Sequence, residues 1–138
     1  MRLPILLSLC LCLSFTTLPA QKGMNNKKMG KILEEQASAL EGEAGSWQVF
    51  IHNHVLLVVT DEANNRMRIF TPIMEENELE GNQLRHMLIA NFHTALDAKY
   101  SIYEGFVISI FTHPLKELTA WQLEDALRQV AKLADNFG

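Results

Sequence analysis

Residues 47–73 read WQVFIHNHVLLVVTDEANNRMRIFTPI, and this stretch decides the fold class. WQVFI (47–51) is rich in strand formers, and VLLVVT (55–60) is an unbroken β-rich apolar run of strand length. RMRIFTPI (66–73) reads as a third strand, closed by Pro72. His52-Asn53-His54 predicts a tight turn in which Asn takes positive φ, and DEANN (61–65) predicts a second polar turn. Strands joined by turns this short form an antiparallel meander, because a parallel pair needs a longer crossover.

On the N-terminal side, Met29, Ile32, Leu33, Ala37 and Leu40 are spaced as one stripe of a helix, which Gly42 and Gly45 end. Residues 21–28 are polar and read as a frayed, flexible terminus. On the C-terminal side, an acidic link (75–83) leads to a second helical stripe of Leu84, Met87, Leu88, Phe92, Ala95 and Leu96. Residues 100–103 and 106–111 (FVISIF) flank Glu104-Gly105 and read as a second hairpin, stopped by Pro114. Thr119 and Gln122 predict a capping box for a last helix striped by Leu123, Ala126, Leu127, Val130, Ala131 and Ala134. The expectation is an α+β domain over residues 29–138, with a five-stranded antiparallel sheet in the order α-β-β-β-α-β-β-α.

The chain has 138 residues, 48% of them hydrophobic and 20% charged, a balance that suits one globular domain. A net charge of −4 argues against nucleic acid as a partner. Residues 1–20 carry Arg2, an apolar run over 3–13 and Ala20, the pattern of a secretory signal peptide too short to span a bilayer. Cleavage after Ala20 leaves a periplasmic protein with no stable membrane insertion. It removes Cys10 and Cys12, so disulfide, thiolate and cysteine-based zinc chemistry leave with the leader.

No catalytic set stands out. Ser101 and Ser109 lack the surroundings of a nucleophile elbow, and no glycine-rich phosphate loop occurs. Glu75, Glu76, Glu78 and Glu80 lack the order of a calcium loop. His52 and His54 fall in a turn, His86 and His93 lie about two helical turns apart, and His113 precedes Pro114; no metal site and no cofactor is expected. Arg66 and Arg68 share one face of their strand and suit a carboxylate or a partner's backbone. The stronger expectation is structural: Arg68 paired with a helix carboxylate or carbonyl, Arg66 in solvent. Asn91, inside an apolar helix, is expected to bond the sheet backbone.

VLLVVT and FVISIF place apolar residues on both faces of the sheet, while three helices cover one. A face left in water should read polar, so a second copy is expected to cover it. Met87, Phe92, Tyr103, Phe106, Ile108 and Phe111 supply the aromatic, Met and aliphatic content that dimer or partner interfaces favour.

The element order resembles that of class I type III secretion chaperones, the Tir-chaperone-like fold, which also includes bacterial sensory-transduction-regulator domains. The wording is similar at Trp47, at DEANNRMRI (61–69), at Pro72-Ile73, at LIANFH (88–93), at LDAKY (96–100) and at His113-Pro114-Leu115. The resemblance implies a homodimeric, non-enzymatic protein that binds a segment of another polypeptide in extended form. Export sets this chain apart from such chaperones, which are cytoplasmic. A small-ligand or signal-sensing domain on the same fold is the alternative.

Overall fold

The computed structural model describes residues 23–138. The leader expected over residues 1–20 lies outside the described residues.

Helix α1 (Asn26–Gln36) starts three residues before Met29, because the Asn25 side chain accepts the Lys28 N–H and caps it. Met24 is buried just ahead of it, its N–H donating to Lys116 O at 3.1 Å. Strands β1 (Ala39–Glu43), β2 (Ser46–Ile51), β3 (His54–Asp61) and β4 (Arg66–Glu75) follow as consecutive hairpins. A 3₁₀ turn (Glu76–Glu78) leads to α2 (Gln83–His93), then β5 (Lys99–Tyr103), β6 (Phe106–His113) and α3 (Ala120–Asp135). The sheet is antiparallel throughout, in the order β1-β2-β3-β4-β6-β5.

The sheet thus has six strands and not the expected five. Ala37 and Leu40 extend the apolar spacing of α1, but the chain leaves the helix at Ala37, where ψ is 147°. The Ser38 N–H and hydroxyl both donate to Phe50 O, which starts β1 along β2. Gly42 adopts φ +101°, and a Cβ there would sit 2.3 Å from Ser46 O. That glycine belongs to a hairpin and not to a helix end.

The other turns follow local chemistry. His52 and Asn53 form a two-residue turn with φ of 52° and 62°, and Glu104-Gly105 another with 49° and 80°, the doubly positive pattern of a type I′ hairpin. The β3–β4 turn is held by Asp61, which accepts the Asn64 backbone N–H at 3.0 Å and its side-chain amide at 2.7 Å. Helix α3 carries the capping box of Thr119 and Gln122.

All three helices lie on one side of the sheet, α3 across β3 to β6, α1 beside it and α2 at the β5 end. The main core joins Met29 and Leu33 to Trp47, Val49, Leu56, Val58, Met67, Ile69 and Phe111 beneath Leu123, Leu127 and Val130. A satellite core under α2 joins Met87, Tyr100 and Val107. Truncating Leu127, fully buried in the main core, to Ala costs about 2–5 kcal/mol on general grounds.

Candidate functional site

Side chains alternate across a strand, so residues adjacent to the core positions point away from the helices. On β3 these are Val55, Leu57 and Val59, with Arg68 and Phe70 on β4, Phe106, Ile108 and Ile110 on β6, and Ser101 and Tyr103 on β5. Register makes them one surface: Leu57 faces Phe70, Val59 faces Arg68, Phe70 faces Ile110, Ser101 faces Ile108 and Tyr103 faces Phe106. Phe70 and Tyr103 meet edge to face, with ring centroids 5.9 Å apart. Val55, Tyr103 and Phe106 are exposed. Between Val59 and Tyr103 the face sinks into a groove of about 450 Å³, walled by Phe70, Ile108 and Ile110, with Arg68 on its margin.

Charge on this face gathers at the β3–β4 end, where Asp61 lies opposite Arg66 and Arg68 helps to hold the Asp61 carboxyl below its ordinary value. Arg68 makes no hydrogen bond or ion pair among the described residues. The expected pairing with a helix carboxylate does not occur, because β4 turns Arg68 to the side without helices. Arg66 donates to Asn65 O. At the other end of the groove, the Tyr103 hydroxyl bonds Glu104; that carboxylate holds its pKa above the ordinary tyrosine value, and Arg68 opposes the shift.

The six residues expected at an interface divide three ways. Tyr103, Phe106 and Ile108 come together on the helix-free face, although Ile108 is only 3% exposed, at the groove's base. Phe111 and Met87 instead point to the helix side and are buried in the main and satellite cores of the single chain. Phe92 lies away from both groups on α2, 84% exposed, with His93 edge-on to its ring. Val55, Leu57, Val59, Phe70 and Ile110 join Tyr103, Phe106 and Ile108 on the helix-free face; strand alternation groups these residues, but with both sides of VLLVVT apolar it does not say which side meets the helices.

Helix α2 carries the second apolar surface. Of its apolar stripe Met87 alone is buried; Leu84, Leu88, Phe92 and the following Leu96 are exposed, joined by Ile89. The side toward the sheet is taken by Ala90 and Asn91. Asn91 accepts the Tyr100 N–H at 2.7 Å and donates to Tyr100 O at 3.0 Å, satisfying both backbone groups of one residue on the β5 edge. A small or amide side chain fits that close approach, and so the large apolar residues turn outward.

The histidines lie apart. His54 bonds Asp135 at 2.7 Å, His52 sits in its turn, and His113 stacks on Phe111. Among the described residues no three His, Cys, Asp or Glu side chains converge, and no helix is long and apolar enough to cross a membrane.

No family model and no curated protein matches the sequence. Solved structures match its fold. The structure of the HopA1–SchA chaperone–effector complex superposes with a TM-score of 0.60 at 14% identity, over 81% of this chain and 94% of that one. The ExsC–ExsE complex gives 0.60 at 18% identity over 81% and 92%. The Yersinia pestis type III secretion chaperone SycH, in complex with a fragment of YscM2, gives 0.61 at 14% identity over 82% and 98%. The chain therefore has the α+β fold of type III secretion chaperones.

Proposed function

We propose that this protein is a non-enzymatic polypeptide-binding module, homodimeric and exported to the periplasm. The observation that carries the reading is that the folded chain leaves two separate apolar surfaces in water: the helix-free sheet face and the outer stripe of α2. Exposed patches on that scale mark interaction sites in soluble proteins. The three similar structures include complexes with protein partners, which supports a polypeptide ligand here. The two surfaces divide the work. The protruding α2 stripe of Leu84, Leu88, Phe92 and Leu96 pairs with its twofold copy, and the sheet face holds the partner segment. A stable dimer of this kind buries roughly 1,200–2,000 Å² in total. The leader supports export, with a mature chain starting at Gln21.

Sedimentation at micromolar concentration tests the dimer: the expected mass is two copies. Leu88→Asp and Phe92→Asp should each give a folded monomer, because a desolvated charge at the interface is costly. A monomeric parent protein would remove the twofold assembly. N-terminal sequencing of the protein from a periplasmic fraction tests export, and a cytoplasmic protein retaining Met1 would contradict it.

A further inference from the structure

We propose that the Arg68 groove on the helix-free sheet face docks an extended segment of a partner polypeptide that carries one acidic side chain among apolar ones. The inference rests on the polypeptide-binding reading above and adds the chemistry of the segment. Four adjacent strands, β3, β4, β6 and β5, contribute the groove's walls. Four strands at about 4.8 Å span roughly 14 Å, the length of about four extended residues at 3.3 Å each. The walls of Val59, Phe70, Ile108 and Ile110 suit aliphatic or aromatic side chains.

Charge fixes the remaining position. Arg68 presents a guanidinium that makes no hydrogen bond or ion pair among the described residues, beside an apolar wall that lowers the local dielectric; Asp61, two residues beyond Val59 on the same face, feels its charge, but both of its oxygens are engaged by Asn64. Its planar fork matches a carboxylate in two parallel hydrogen bonds. The opposite end holds Glu104, bonded to Tyr103, which repels a second acid. The nearby Lys99 ammonium is already engaged by Leu96 O. The acidic residue of the segment therefore lies at the Arg68 end and its aromatic or aliphatic residues toward Tyr103. A second copy fits this place poorly: a twofold axis that sets groove against groove leaves unfilled space, whereas interfaces reach interior packing density.

The test is a phage-displayed library of random heptapeptides panned on the purified protein, with fluorescence-polarisation affinities of the selected peptides. The expected result is enrichment of Asp or Glu at one position flanked by apolar residues. Arg68→Gln should weaken those peptides about tenfold, as should replacing the peptide's acid by its amide, and the two losses should not add. Arg68 is exposed, so this substitution leaves the fold intact. Ser101→Glu, at an exposed groove position, should also weaken binding while leaving the sedimentation mass unchanged. Selected peptides that bind equally well to the Arg68→Gln protein would overturn the groove's chemistry and leave the polypeptide-binding reading standing. A Ser101→Glu protein that becomes monomeric would assign the face to a second copy and overturn the proposal. Retention of no peptide would overturn the polypeptide-binding reading itself.

Discussion

At the level of single residues, one polar row crosses the helix side of the sheet. Thr71 faces Ser109 across β4 and β6, and Ser109 faces Tyr100 across β6 and β5. The Thr71 hydroxyl donates to Val55 O at 2.9 Å and the Tyr100 hydroxyl to Leu133 O at 2.8 Å, while burial raises the Tyr100 pKa. Ser109 Oγ, fully buried, has no hydrogen-bond partner among the described residues. A buried hydroxyl without a partner costs about 1–3 kcal/mol, so Ser109→Ala should stabilise the protein by about 1 kcal/mol. Urea unfolding checks it: the midpoint should rise with an unchanged slope. A lowered midpoint would mean that the hydroxyl is bonded. Asn91 shows what a single residue can reveal beforehand. An amide among the apolar positions of a helix announces a bond to a neighbouring element, and its two part-buried bonds to Tyr100 follow that rule. Arg68 gives no such signal, because strand alternation assigns a side without saying which side the helices take.

Among the elements, the β1–β2 hairpin depends most on one residue. At Gly42, φ of +101° and the 2.3 Å approach of a hypothetical Cβ to Ser46 O leave no room for a side chain. Gly42→Ala should cost at least about 1–2 kcal/mol and raise amide exchange in residues 39–43 first. Exchange unchanged there would contradict the hairpin. The same glycine explains why β1 was illegible: Ala37 and Leu40 keep helical spacing with Leu33, and only the pair Gly42 and Gly45 separates a helix end from a hairpin. The β2–β4 meander was legible because His52-Asn53 and DEANN are turn sequences between strand-length runs. Helix α2 was legible as a helix with Phe92 as an interface candidate; which of its residues turn outward follows from the packing of Asn91 on β5. The β3–β4 turn carries a pH dependence. Hydrogen bonds from Asn64 hold the Asp61 carboxyl below the ordinary aspartate value, and one from Asn65 does the same for Glu117. A depressed folded pKa contributes stability that is complete above the unfolded value and disappears as pH falls through the folded one. The turn should therefore loosen in acid, below the ordinary carboxylate range. Amide exchange at Asn64 and Asn65 should report it, and Asp61→Asn should remove much of the pH dependence at Asn64.

For the whole molecule, the two apolar surfaces differ in how far the chain itself shelters them. The helix-free face is partly self-sheltered: Ile108 is 3% exposed and Phe70 lies against Tyr103. The α2 stripe has no such shelter, with Leu88 65% and Phe92 84% exposed. Those side chains contribute little to the monomer's own core, and the proposed twofold assembly is what would bury them. Association couples to folding by mass action, because a dimer that binds only folded chains raises apparent stability with protein concentration. The thermal midpoint should therefore rise by a few degrees over a hundredfold increase in concentration. Leu88→Asp and Phe92→Asp should remove that dependence while keeping the far-UV spectrum of the parent, since in the monomer both positions face water. Groove variants such as Arg68→Gln should leave it in place, because they lie on the other surface. A midpoint independent of concentration in the parent protein, with the mass of one chain, would show that α2 meets water alone and that the twofold assembly does not form.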